Sequence, residues 1–517
     1  MYLTLYLCAL PLVGSLCSFL PFASRPDSTW GACLRSRRPS TRFRLSSRES
    51  TPVCSLDNLR EVQRQSGRVV AEVSYKDGLT CKEVLVSGFE AGIGIGQRAR
   101  EVDQAVASST LVVDQSHWGI VRVEGEDRLR FLHSQGTNAF EQGDKGRVVP
   151  TCFTSNTGRV VDFCEAVVLE DEVWLLSSPH RWRGLLENMD KFIFPMDRIA
   201  VSSLSEETAI FTLAGPQAGV TLELAKCGDL PQPGRFVEHM FRQEKVIVIN
   251  HSRPITTGGR EAVAHGRDDA EEPSGTEGRT DDPSNLYQYT LLVPAAAAAE
   301  LWTTLSACPS VVTAGETEWQ TLRIKRGLPF AGKELTNDHN PLEAGLWHSV
   351  HFDKGCYIGQ ESISRVNAYK ALKSALYGVT FEKPGVPEGA ALIVEDTGKM
   401  QVPRLAPYRA GLVTSMMDPE ILPPAGLAYI KTQAGGVGLK VLTNDGVRGT
   451  VVEVPYPTRS DAESAMPPAK KDPEGQNSAA VSLDLKEEKA KDAARKAAKL
   501  EAMQKKLDAL KSRKKAS

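Results

Sequence analysis

Between Lys354 and Glu361 the chain reads Lys-Gly-Cys-Tyr-Ile-Gly-Gln-Glu, a cysteine between two glycines, followed at once by a helix-forming run from Gln360 to Val366. Glycine at 355 and 359 permits a turn that other residues resist, and the second glycine stands where a helix begins. Such a turn can present the Cys356 sulfur at the surface. There the Lys354 ammonium and the positive end of the helix dipole favour thiolate over thiol. The plain alternative is a small buried hydrophobe beside a tight turn, the usual fate of a free cysteine.

A chain of 517 residues has room for two or three domains around a large core, and its net charge of −2 gives no whole-chain argument for nucleic acid or membrane. The charge is unevenly placed. Basic residues gather between Arg25 and Arg48 and between Lys486 and Lys515, with an acidic run from Asp268 to Asp282. None of the ten cysteines stands in Cys-x-x-Cys spacing, so neither a zinc ribbon nor a cluster-ligand set is visible. No stably bound metal is expected, and the thiols are expected to be reduced.

Residues 1–22 carry an apolar run broken by Pro11 and Gly14, read as a signal peptide too interrupted to span a membrane. Residues 23–55 are rich in arginine and serine and poor in acids, as transit peptides are. The two in series imply a plastid address, ending in the chloroplast stroma, with the mitochondrion as the alternative. The mature protein should have no transmembrane span. Residues 56–104, polar and ending in the glycine-rich stretch Gly88 to Gly96, read as a linker.

From Leu111 strand and helix patterns alternate. Gly119 to Glu124, Val148 to Phe153, Arg159 to Val168 and Val173 to Ser177 read as strands, with helices at Arg128 to His133 and Pro179 to Lys191. Helices packed on antiparallel strands make an α+β module over 105–205, and the same theme returns over 206–370. Residues 258–285 interrupt the second module with acids and glycine and read as a disordered insertion. Short strands between 371 and 457 predict a small β-barrel. Residues 458–482 read as a linker, and 483–517 as a basic helical tail with leucines at coiled-coil spacing, whose partner the sequence does not name.

The cysteine stretch resembles the signature of the YgfZ-type folate-binding proteins, relatives of the glycine-cleavage T-protein tied to iron-sulfur cluster assembly and repair. Trp319 to Pro329, Gly332 to Thr336, Asn340 to Trp347, and the opening blocks Val113 to Gly119 and Val123 to Arg128 are similar to the same family. The resemblance spans roughly residues 105–457. It implies a T-protein-like fold, two ferredoxin-like α/β modules around a central cavity plus the barrel, and tetrahydrofolate as ligand. It implies a pocket drawing on Asn138, Asp162, Arg323, Glu343, Trp347 and Tyr357, with Cys356 and Lys354 as the working pair. A carboxylate such as Asp162 or Glu343 suits the donor edge of a pterin, and Arg323 suits the carboxylate of a folate tail. Each has a plainer reading: Arg323 paired with Glu343, and Asp162 a strand-end turn residue.

Three functions follow. The first is a folate-binding factor in iron-sulfur assembly or repair, with Cys356 as a transient cluster ligand and assembly proteins or client enzymes as partners. The second is an aminomethyltransferase, for which the Thr-Gly-Glu-Asp-Gly-Phe-Glu-like segment of T-proteins is absent at Ser284 to Thr290. The third is a non-enzymatic folate-binding scaffold docking by its basic tail.

Overall fold

The computed structural model describes residues 56–75, 80–90, 92–141, 145–251, 288–395 and 409–454. The signal-like and transit-like segments, the acidic insertion, and the linker and tail at 458–517 lie outside the described residues. No described helix is long and apolar enough to cross a membrane.

The stretch expected to be a linker is folded. Helix α1 (Asp57–Gln65) leads into an antiparallel pair, β1 (Arg68–Ser74) and β2 (Thr80–Glu90), and α2 (Ile95–Ser108) follows with Gly94 at its N-cap. Its polar composition hid partners far along the chain. A Cβ at Gly88 would lie 2.2 Å from the Thr313 carbonyl oxygen. Glu318 accepts hydrogen bonds from Ser87 Oγ at 2.8 Å and from the Gly88 N–H at 3.3 Å.

Strand β3 (Thr110–Asp114) is buried along its whole length. It is followed by β4 (Gly119–Glu124), α3 (Arg128–Gln135), β5 (Val148–Thr154), β6 (Val160–Val168), β7 (Glu172–Ser177), α4 (Trp182–Asp190) and β8 (Ala200–Ser203). Strands β4 to β8 form an antiparallel sheet in the order β5-β6-β7-β4-β8. Leu129, Leu132, Leu175 and Leu185 pack beneath it, joining α3 and α4 to its inner face.

The second sheet holds β9 (Thr208–Ala214), β10 (Phe236–Phe241), β11 (Glu244–Asn250), β12 (Gln288–Pro294) and β13 (Val311–Ala314), with α5 (Ala218–Leu224) and α6 (Ala295–Ser306) against it. Its order is β10-β11-β12-β9-β3-β13. Strand β3 therefore belongs here, not to the first module in which the sequence placed it. Held between antiparallel β9 and parallel β13, it is a central strand, and its continuous apolar run suits burial on both faces.

Helix α7 (Glu316–Arg326) starts at Gly315, whose N–H donates to Glu318 Oε2 at 2.8 Å, and ends at Gly327 in a left-handed conformation. Helix α8 (Gln360–Ala368) carries the residues after Cys356. Strands β14 (Ser374–Phe381), β15 (Ala391–Val394), β16 (Arg409–Met416), β17 (Ala425–Lys431), β18 (Lys440–Thr443) and β19 (Arg448–Val452) close into a barrel in the order β14-β17-β16-β15-β18-β19. Tyr377, Val379, Val413, Ile430 and Val451 fill it. The α+β class, two modules and a small barrel, is as the sequence implied.

Candidate functional site: an exposed thiol on a clamped turn

Of the six described cysteines, all free, Cys152, Cys164 and Cys227 are buried, Cys81 and Cys308 half-buried, and Cys356 exposed. The turn that displays Cys356 is fixed on its C-terminal side by Gly359. That residue has φ +84°, and a Cβ there would lie 2.6 Å from both the Ser155 carbonyl oxygen and Thr154 Oγ1. Only glycine allows this approach to the turn between β5 and β6. Thr154 Oγ1 donates to the Ile358 carbonyl at 2.6 Å, completing the contact.

On the N-terminal side the clamp is Lys354. Its Nζ donates to the carbonyls of His133 at 2.5 Å, Gly136 at 2.7 Å and Asn138 at 2.6 Å, and lies 4.9 Å from the centre of the Tyr357 ring. An ammonium has three protons, and here each meets a carbonyl at the end of α3. Lys354 thus ties the cysteine turn to the first module and has no proton left to donate to the thiol. Burial lowers its ammonium to about 7. Tyr357 is buried beside Leu342, Val350 and Ile363, its hydroxyl meets no partner among the described residues, and burial pushes it up to about 12.

The expected folate residues are scattered among internal networks. Asn138 donates through Nδ2 to the carbonyls of Pro150 at 2.8 Å and His348 at 3.3 Å, stitching the turn after α3 to β5. Asp162 is fully buried and accepts from Ser178 Oγ at 2.7 Å, Ser177 Oγ at 2.5 Å and the Ser178 N–H at 3.2 Å. Burial raises its carboxyl above the usual range, against the pull of those donors. Arg323 is 1% exposed, and its partner is Glu334 at 3.1 Å rather than Glu343. It also donates to Gln320 Oε1, the Leu328 carbonyl and Ser415 Oγ, joining α7 to the barrel. Glu343 pairs with Arg159 at 3.4 Å and accepts from the Asn340 N–H. Trp347, in a short turn of 3₁₀ helix, packs near Phe352, and its indole N–H meets no partner among the described residues. The structure brings Lys354, Asn138 and Tyr357 together around the cysteine turn.

An aromatic cluster went unseen in the sequence. Tyr75 stacks on His180 with ring centres 4.7 Å apart, and Phe330 lies about 6 Å from Tyr75, His180 and Trp118. Trp118 meets Trp319 edge-on at 6.3 Å. The Tyr75 hydroxyl and both indole N–H groups are buried without a partner among the described residues. No local pattern marks the cluster, because Tyr75 lies in a stretch of linker-like composition and the other rings are far apart in the chain.

The family described as the GCVT N-terminal domain matches residues 95–240. The chloroplastic Arabidopsis thaliana protein At1g60990, which carries a transferase name, is 33% identical over 395 residues, covering 76% of this chain and 80% of that protein. The chain belongs to the GcvT-like family. An aminomethyltransferase of Caldanaerobacter subterraneus subsp. tengcongensis is 23% identical over 363 residues, 68% of this chain and 85% of that one. The crystal structure of the glycine cleavage system aminomethyltransferase T from Bartonella henselae superposes with a TM-score of 0.59 at 17% identity, covering 77% of this chain and 96% of that one, which shows a shared GcvT-like fold.

Proposed function

We propose that this GcvT-like protein binds tetrahydrofolate and serves iron-sulfur cluster assembly or repair through the Cys356 thiol. The observation that carries the reading is the display of that thiol. It is exposed, while the turn bearing it is pinned by Lys354 on one side and Gly359 on the other. A residue used only as core filling needs neither exposure nor two anchors. As a transient ligand the thiolate would take one coordination position on a cluster that is the protein's cargo. One cysteine cannot hold a cluster, so an assembly protein, a client enzyme or a small thiol supplies the rest.

The folate part of the reading is supported by the family and by the aromatic cluster. A pterin is flat with a polar rim, and the cluster sets aromatic surface from Tyr75, His180, Trp118 and Trp319 beside three donors that meet no partner among the described residues. The saturated carboxylate of Asp162 is a poor match for it. The chloroplastic relative supports import into a plastid.

The test is complementation. In cells lacking the protein, Cys356→Ala should fold and bind tetrahydrofolate as the wild type does, yet leave iron-sulfur enzyme activities at the level of the null. Full rescue would remove the thiol mechanism. A second reading, aminomethyl transfer, is favoured by the names of the relatives. It predicts that Cys356→Ser keeps full transfer activity.

A further inference from the structure

Arg326 ends α7, three residues beyond Arg323, and is part-buried. Its Nη1 donates to Gln288 Oε1 at 2.9 Å. Its Nε and Nη2 are shielded from solvent and meet no acceptor among the described residues. Burial lowers the guanidinium to about 10. Of the other deeply placed arginines, Arg60 is paired with Asp114 and Arg323 with Glu334, while Arg128, also without a carboxylate, spends both Nη groups on the Gly125 and Glu170 carbonyls. A shielded cation without a counter-charge is costly, so Arg326 calls for an anion that the described chain does not supply.

The geometry of the free edge says which anion. Nε and Nη2 present two parallel N–H groups, the edge that a carboxylate meets with both oxygens. One guanidinium neutralises one negative charge, whereas a dianionic phosphate would leave a surplus in the same shielded place. A second nitrogen without a partner among the described residues belongs to a residue that also bonds to Gln288. His251 donates its backbone N–H to the Gln288 carbonyl at 2.8 Å and directs Nδ1 to Glu165 at 3.1 Å, while its Nε2 is shielded and unpartnered. Both orphaned groups are thus anchored on Gln288, the first residue of β12.

We propose that Arg326 is a ligand-binding residue whose Nε and Nη2 edge takes the carboxylate of a small molecule. For the ligand's identity this rests on the folate reading, in which the carboxylate is that of the folate glutamate tail. The role that the sequence suggested for Arg323 then falls to the residue three positions further on, because Arg323 is saturated and Arg326 is not.

Calorimetry on the full chain tests it with tetrahydrofolate and with 6-methyltetrahydropterin, which has the ring and no tail. Arg326→Gln should weaken tetrahydrofolate by about 10- to 100-fold. Binding of the tail-less pterin should stay within about threefold. An equal loss for both ligands, or none for tetrahydrofolate, overturns the proposal. Ligand-free Arg326→Met should melt no lower than the wild type, since it removes an unpaired charge; early melting with unchanged folate affinity would make Arg326 structural and also overturn it. If the wild type binds no tetrahydrofolate, the folate reading fails by itself and γ-glutamylglutamate decides the rest. A rise in melting temperature for wild type that is absent from Arg326→Gln keeps the carboxylate site, and no rise in either removes it.

Discussion

At the scale of single residues, chemistry is set by partners more than by side-chain type. Asp162 and Arg323 are the residue types a folate site would use, and the sequence singled both out for that reason. In the structure each is enclosed by donors or acceptors from distant segments, Ser177 and Ser178 for the one, Glu334 and Ser415 for the other. Neither position announces its partners: Glu334 lies 11 residues from Arg323 among other acids, and Ser415 lies 92 residues away. The pairing has a direct consequence. Arg323→Ala leaves Glu334, fully buried, without its cation, and breaking such a pair costs about 3–5 kcal/mol. Urea unfolding of that variant should show a loss of this size. A variant as stable as wild type that has lost only ligand binding would return Arg323 to the binding role.

Among elements, the cysteine turn was legible in outline and not in mechanism. The two glycines flanking Cys356 look equivalent in the sequence, yet they face different surroundings. Gly359 is left-handed and pressed against Ser155 and Thr154, whereas a Cβ at Gly355 would meet only His133 Nε2, at an ordinary 3.6 Å. Gly359→Ala should therefore cost about 2–4 kcal/mol, from the strained backbone together with the forced retreat of the β5–β6 turn. Gly355→Ala should stay within about 1 kcal/mol. Denaturant midpoints of the two variants side by side check the asymmetry, and equal losses would mean that the turn is not held by its second glycine. The barrel strands were readable because turn residues punctuate alternating apolar runs, as in Gly411 to Met416. Strand β3 carried no such label. A run buried on both faces does not say which sheet it joins, and that choice is made by β9 and β13, found some 100 and 200 residues later.

For the whole molecule, the largest departure from expectation is that the stretch of described residues between 56 and 104 is part of the fold. Composition read it as a linker because its own apolar content is low, but its stability is borrowed from contacts with residues far away. The anchor of α1 is the clearest of these. Arg60 and Gln63 both donate to Asp114, which also accepts from the Ser116 N–H, so the helix is fastened to the end of β3. Burial alone would push the Asp114 carboxyl up, but the Arg60 guanidinium with the Ser116 and Gln63 donors outweighs it and holds the carboxyl below its usual range. A carboxyl so lowered binds fewer protons in the folded chain than in the unfolded one. Its contribution is complete above the unfolded value of about 3.9 and is lost as pH falls towards the folded value. Asp114→Asn should therefore cost about 3–5 kcal/mol near neutral pH by leaving Arg60 buried and unpaired. Urea midpoints for wild type and variant should differ by a constant amount between about pH 5 and 8 and converge progressively below about pH 4. A gap that persists unchanged into acid would place the anchor in packing rather than in the ion pair.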